Sequence, residues 1–129
     1  MTQTLDQQRA AFAWECASAG MRQCGKEYKV LAKGAPALIM NSGLMPTLAF
    51  YNSKGQAAGL LLDDLIRGLS ERTAGQKLQA GQGSRLFPQF MAALQQCESR
   101  DYLRYTDEAL EILKWIRQFV DAVDTKELP

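Results

Sequence analysis

Apolar residues recur every three to four positions along most of this chain, and no stretch alternates apolar and polar residues as a strand would. This periodicity places apolar side chains on one face of an α-helix. The pattern therefore predicts an all-α fold. Because 129 residues is the usual length of one domain, we expect a single compact bundle of about five to six helices over residues 1–129.

Capping and helix-breaking residues divide the pattern into segments. Thr4 and Gln7 fit a capping box, and Thr106 is placed to cap the last helix. Gly34 and Pro36 predict a kink or a restart. The predicted helices cover residues 4 to about 25, 26 to 42, 46 to 52, 60 to 72, 86 to 97 and 106 to 125. Residues 73–84, rich in Gly and Gln, are expected to form a flexible loop.

The chain contains no histidine. Ser-His-Asp and Cys-His catalysis and histidine-dependent zinc sites are therefore excluded. Two acidic groups could in principle hold magnesium, but carboxylates on a single helix without further oxygen ligands bind this ion poorly. They are interpreted instead as charges at helix starts and on solvent-exposed helix faces: Asp63, Asp64, Asp107, Glu108 and Glu111. We expect no enzymatic activity, no metal and no cofactor.

The cysteines and the N-terminal residues indicate the cellular compartment in which the protein is located. Cys16, Cys24 and Cys97 form an odd set without a C-x-x-C spacing, which favours reduced thiols. The first 20 residues lack the order of a signal peptide, and the uncharged stretch 34–53 is interrupted by Pro36 and Pro46. The sequence therefore predicts a cytoplasmic protein with no membrane partner.

The charges are unevenly distributed, although the net charge is only +1. Lys26, Lys29 and Lys33 fall within about 60° of one another on a helical wheel, and Glu27 points about 100° away from Lys26. No acidic residue is therefore expected on their arc. Such a stripe either follows a phosphate backbone or is simply a solvated face.

The last predicted helix is apolar around about 240° of its circumference, which is more than one neighbouring helix covers. Either this helix is central in its own bundle, or one flank contacts another protein chain. The flank proposed for such a contact contains Trp115, Phe119 and Ala122.

Residues 37–53 also fit a helix, a turn at Gly43 and a second short helix, which is the pattern of a helix-turn-helix DNA-binding regulator. The second helix, over residues 46–52, contains no Arg or Lys, the residues that most often contact guanine edges and phosphates. DNA binding is therefore the alternative function.

Several packing motifs occur in a recognisable order. They cover residues 12–15, 28–33, 35–44, 47–50, 106–110 and 115–119. Together they resemble the small all-helical subunit of type III-B CRISPR effector complexes, known as Cmr complexes. The resemblance covers most of the chain.

The resemblance implies a non-catalytic subunit that stacks in several copies along an RNA-guided complex, close to the guide–target duplex. The implied partners are the backbone and large subunits, further copies of this chain, and guide and target RNA. On that basis the phosphate contacts are predicted at five basic residues: Arg22, Lys26, Lys29, Lys33 and Lys54.

Overall fold

The computed structural model describes residues 2–123, which form seven α-helices and, within this range, no strand. The helices are α1 Leu5–Cys24, α2 Lys26–Ser42, α3 Leu44–Asn52, α4 Gln56–Ala74, α5 Gln82–Arg85, α6 Phe87–Gln96 and α7 Ser99–Val123. The all-α prediction is confirmed. The expected five to six helices were too few, because the four-residue helix α5 forms at the end of the segment predicted as a loop, residues 73–84, and extends one residue beyond it.

The N-terminus of α1 forms as its sequence predicts. Thr4 Oγ1 accepts the Gln7 N–H at 3.1 Å, and Gln7 Oε1 accepts the Thr4 N–H at 2.8 Å. The helix continues through Gly20, where an added Cβ would lie 2.5 Å from the Tyr28 ring. Glycine at this position lets the Tyr28 ring of α2 pack directly on the α1 backbone.

Helix α2 does not restart at Gly34 and Pro36, because its helical span includes both residues. Pro36 supplies no N–H, so one internal hydrogen bond is lost there. Buried residues on both sides of the proline, Ala32, Ala35 and Ile39, anchor the helix to the core. Tertiary packing therefore outweighs the local breaking signal.

Helix α7 begins at Ser99, so the prediction of a cap at Thr106 was wrong. Thr106 lies within the helix and its hydroxyl donates to the Tyr102 carbonyl at 3.0 Å. Tyrosine packing explains the additional turns: the Tyr105 ring lies edge-to-face on Phe90 at 5.6 Å, and Tyr102 Oη accepts the Met45 N–H at 3.0 Å. The predicted end at Thr125 lies outside the described residues.

Helices α1, α2, α4 and α7 pack around one core. Arg9 lies beside Glu108 and Trp14 lies beside Phe119, so α1 and α7 run in the same direction. Helix α4 runs the opposite way, since Arg72 contacts Gln8 and Arg67 contacts Cys16. Helix α2 also runs opposite to α7, since Lys33 meets Asp121 and Gly43 lies beside Tyr102. Helices α4 and α7 contribute the largest share of the core, and their aliphatic side chains with at most 1% exposure are Ala58, Leu61, Leu62, Leu65, Ile66, Leu69, Ala109, Ile112, Leu113, Ile116 and Val120. No helix within residues 2–123 is long and apolar enough to cross a bilayer.

Candidate RNA and subunit surfaces

The predicted lysine stripe lies along α2. This helix buries Tyr28, Ala32 and Ile39, and the opposite side therefore faces outward. Lys26 and Lys33 are exposed, and the Lys29 side chain retains 24% of its accessible surface. The outward placement expected for the three lysines therefore holds for Lys26 and Lys33, and only in part for Lys29.

A carboxylate from another helix lies between two of these lysines. Asp121 on α7 approaches Lys33 Nζ at 2.7 Å through Oδ2 and Lys29 Nζ at 3.3 Å through Oδ1. The expectation that no acidic residue shares the arc of the stripe was therefore wrong. On α2 itself no acidic residue shares this arc, and Asp121, which is distant in sequence, reaches the stripe only through tertiary packing.

The remaining two basic candidates lie near the start of α2. Lys26 and Lys54 both line an open apolar groove of about 400 Å³, together with Glu27. The Lys54 ammonium also lies 5.3 Å from the centre of the Phe50 ring, a cation–π contact. Arg22 is exposed in the last turn of α1, four residues before Lys26. The structure therefore brings Lys26 and Lys54 to one groove, and Lys29 and Lys33 to one carboxylate.

The predicted subunit flank of α7 is part of a larger aromatic cluster. The Trp115 and Phe119 rings lie 5.8 Å apart, and both side chains are partly buried against the core. Trp14 of α1 packs edge-to-face on Phe119 at 5.1 Å and is 45% exposed. Ala122 is exposed on the same helix. We name Trp14, Trp115, Phe119 and Ala122 the aromatic cluster.

Trp14 was missed from the sequence, although a signal was available. The buried face of α1 contains Ala13 and Cys16, and Trp14 is 45% exposed beside that face. Its neighbours one turn away, Ala11 and Ser18, are small, and a large exposed aromatic residue among small side chains is a reason to expect a contact outside the core.

The prediction that Asp63 and Asp64 lie on a solvent-exposed helix face was wrong, because both are buried. Asp63 and Asp64 are 3% and 2% exposed on α4. Arg67 joins them, with Nε 3.0 Å from Asp63 and Nη2 2.8 Å from Asp64, and the Tyr28 hydroxyl donates to Asp64 at 2.7 Å. These partners explain how two carboxylates remain inside the bundle.

Burial changes the acidity of this cluster. It raises the pKa of Asp64 to about 6, against the lowering effect of the hydrogen bond from Tyr28 and the charge of Arg67. Burial also raises the pKa of the Tyr28 hydroxyl well above its ordinary value, so that group stays a donor at neutral pH. These are the properties of a packed internal network.

Asp63 also binds the segment predicted as a loop. Its carboxylate accepts the Gly81 N–H at 3.0 Å and the Ser84 N–H at 2.7 Å, and so caps the short helix α5 from outside. Gly83 is buried directly against α4, where an added Cβ would lie 2.5 Å from the Asp63 carbonyl oxygen. The flexibility of residues 73–84 stays a prediction.

Two residues of the second acidic group, Glu108 and Glu111, also have basic partners. Glu108 accepts a two-pronged hydrogen bond from Arg9, at 2.7 and 2.8 Å, and Glu111 lies 3.2 Å from Lys114. Within residues 2–123 no three Cys, Asp or Glu side chains converge as a metal-binding group.

The fold and these surfaces define a small helical protein with a basic edge on α2 and a separate aromatic cluster on α1 and α7. A family model described as "CRISPR-associated protein (Cas_Cmr5)" matches residues 5–123. The chain belongs to this family, and the resemblance noted in its sequence is confirmed.

Two relatives from Thermus thermophilus show the extent of the likeness. A protein described as "CRISPR system Cmr subunit Cmr5" is 29% identical over 97 residues, which is 75% of this chain and 75% of the relative. The crystal structure of a CRISPR-associated Cmr5 family protein from the same organism covers 95% of this chain and 100% of its own, with 28% identity and a TM-score of 0.74.

Proposed function

We propose that this protein is a non-catalytic structural subunit of a type III-B, or Cmr, CRISPR effector complex in antiviral defence. In this role it stacks in several copies along the guide–target RNA of an RNA-targeting complex. Membership of the Cas_Cmr5 family, matched over residues 5–123, carries the proposal. The Thermus thermophilus relative is itself described as a Cmr subunit.

The RNA-facing surface in this proposal is the edge formed by Arg22, Lys26, Lys29, Lys33 and Lys54. Ammonium and guanidinium groups contact phosphates without reading sequence, which suits a complex whose specificity comes from base pairing. Lys26 and Lys33 are exposed on α2, and Lys26 and Lys54 share one groove. This arrangement offers several positive charges along one edge of the molecule.

The subunit contacts in this proposal are made by the aromatic cluster. Buried aromatic anchors dominate the binding energy of many interfaces. Trp14 is 45% exposed beside Phe119, so a neighbouring chain can bury additional aromatic surface there. The partners are the backbone and large subunits and further copies of this chain. The three free cysteines agree with a cytoplasmic location, which belongs to the same proposal.

The RNA proposal is tested in the assembled complex with Lys26, Lys29 and Lys33 all changed to Ala. Target-RNA affinity is measured at several salt concentrations. Since each neutralised phosphate contributes about 0.7 to 0.9 to the salt slope of log affinity, we expect the slope to flatten by about two to three.

A control of equal charge changes three exposed basic residues on other elements to Ala: Lys77, Arg85 and Arg100. It should leave affinity and slope close to wild type. Unchanged affinity and slope in the α2 variant would show that the stripe is a solvated face. A sequence-specific shift of a DNA duplex, with no binding of RNA, would instead support the helix-turn-helix alternative built on α2 and α3.

The subunit contact is tested with Ala122→Gln, which enlarges an exposed residue and leaves the core intact. Co-purification with the other subunits should fall, while the melting temperature stays within about 2 °C of wild type. Ala93→Gln, at an exposed position on α6, is the matched control. Full assembly of the Ala122 variant would remove this flank of α7 from the interface.

A further inference from the structure

The two lysines that meet Asp121 already hold an anionic group. Lys33 Nζ lies 2.7 Å from Asp121 Oδ2, and Lys29 Nζ lies 3.3 Å from Asp121 Oδ1. The Asp121 side chain is 51% exposed and that of Lys33 is 40% exposed. Two ammonium groups on neighbouring turns of α2 therefore converge on one carboxylate at the surface. The same arrangement suits two oxygens of a phosphate.

We infer that Asp121 occupies the position of an RNA phosphate on this face, and that RNA must displace it to reach Lys29 and Lys33. This inference rests on the proposed function. It assigns to Asp121 the role of an internal competitor that lowers the affinity of the basic edge for RNA and its dependence on salt.

The exchange is physically accessible because the pair is exposed. Ion pairs in contact with water contribute little to stability, since solvent and salt screen them. A chain of phosphates brings several charges to the same edge and gains from counterion release, which a single carboxylate does not. RNA can therefore replace Asp121 without disturbing the core residues of α2 and α7.

Asp121 also remains charged whenever RNA is able to bind. The hydrogen bond from Lys33, followed by that from Lys29, holds the pKa of Asp121 below its ordinary value. Competition is therefore constant across neutral pH. The carboxylate offsets positive charge at this edge, so the edge attracts a polyanion less strongly than it would without Asp121.

The opposite role for Asp121 makes an opposite prediction. If its carboxylate served to orient the two lysines for RNA, removing its charge would weaken binding. If Asp121 only joined α7 to α2, removing its charge would leave RNA binding unchanged. The sign of the change in RNA affinity therefore separates the inferred competitor from both other roles.

The test uses the assembled complex with Asp121→Asn, which keeps the size of the side chain and removes its charge. Target-RNA affinity should rise by roughly three- to tenfold at low salt, as expected when about one or two weak ion pairs no longer compete. The salt slope should steepen by about one. Unchanged or weaker binding overturns the inference.

Asp107→Asn is the matched control, because Asp107 is an exposed aspartate on the same helix. It makes the same change in net charge, and its affinity should stay close to wild type. An equal gain from Asp107→Asn would show a general charge effect and overturn the inference.

Testing Asp121→Asn in a variant that lacks both lysines separates this inference from the proposed function. Combined with Lys29→Ala and Lys33→Ala, Asp121→Asn should give no gain, because the lysines that it releases are absent. A gain that persists overturns the inference. If the lysine changes reduce RNA affinity but Asp121→Asn alone has no effect, the inference fails while the proposed RNA surface stands. If the lysine changes also have no effect, both fail.

Discussion

Two charge clusters in this protein have mirrored composition and different surroundings. In the buried cluster, the cation of Arg67 lies between two aspartates, at 3.0 Å from Asp63 and 2.8 Å from Asp64. In the exposed cluster, the carboxylate of Asp121 lies between Lys29 and Lys33, at 3.3 and 2.7 Å. The distances are similar, so distance alone does not distinguish them.

Burial distinguishes them. The Asp63 and Asp64 side chains are at most 5% exposed, whereas the Asp121 side chain is 51% exposed. Water cannot replace a partner lost inside the bundle, so each charge there depends on the others. At the surface, water, salt or another anion can take the place of a partner. The buried cluster therefore supports the fold, and the exposed cluster is available for exchange with a ligand.

Removing the central residue of the buried cluster should have the largest effect. Arg67→Ala leaves two buried carboxylates without their cation, which costs about 3 to 5 kcal/mol of unfolding free energy. Urea denaturation followed by tryptophan fluorescence measures this loss. Asp121→Asn, which removes the carboxylate of the exposed cluster, should leave the unfolding free energy close to that of wild type, because solvent and salt screen this ion pair. Equal losses in the two variants would contradict the comparison.

The buried cluster should also make stability depend on pH. The pKa of Asp64 is about 6 in the folded protein, above its ordinary value, so the folded state binds the proton more tightly than the unfolded state. Tighter proton binding at Asp64 therefore stabilises the folded state. This stabilisation is fully present below about pH 4 and is lost as pH rises through about 6. Its size is at most about 3 kcal/mol.

This dependence is measured as the difference in unfolding free energy between wild type and Asp64→Asn, which cancels the titration of the other carboxylates. The difference should shift in favour of wild type as pH falls from 7 to 4.5. A difference that is constant with pH would show that Asp64 keeps an ordinary pKa. A shift in the opposite direction would show that Arg67 and Tyr28 outweigh burial.

A smaller effect is expected where the 73–84 segment meets the buried cluster. Gly83→Ala would place a Cβ 2.5 Å from the Asp63 carbonyl oxygen, and moving that backbone costs about 1 to 3 kcal/mol. Hydrogen exchange at Gly81 and Ser84, whose amides bind Asp63, should speed up in this variant.

Gly34→Ala is the control for that change. An added Cβ on Gly34 meets nothing within 4 Å, so this substitution within α2 should stabilise the protein by about 0.5 to 1 kcal/mol. Destabilisation by both substitutions would show that the cost at Gly83 does not come from its contact with α4.

Local sequence patterns predicted most of the helices but missed the true start of α7 and the short helix α5. The capping box of Thr4 and Gln7 and the limits of α6 follow from neighbouring residues, so the sequence suffices there. Thr106 also fits a cap. Tyr102 and Tyr105 pack on other helices, however, and stabilise helical turns before Thr106, so the helix is continuous at this residue. A local signal gives way when partners distant in sequence stabilise the longer helix.

The sequence by itself determined the all-α class, the outward placement of Lys26 and Lys33, and the family, because these depend on periodicity and on the order of short motifs. Only the tertiary structure decided which charges meet. Lys33 and Asp121 are 88 residues apart along the chain, and Asp63 is buried because Arg67, Gly81 and Ser84 reach its carboxylate. Helical periodicity describes one helix at a time, whereas the solvation and pairing of a charge depend on all the helices packed around it.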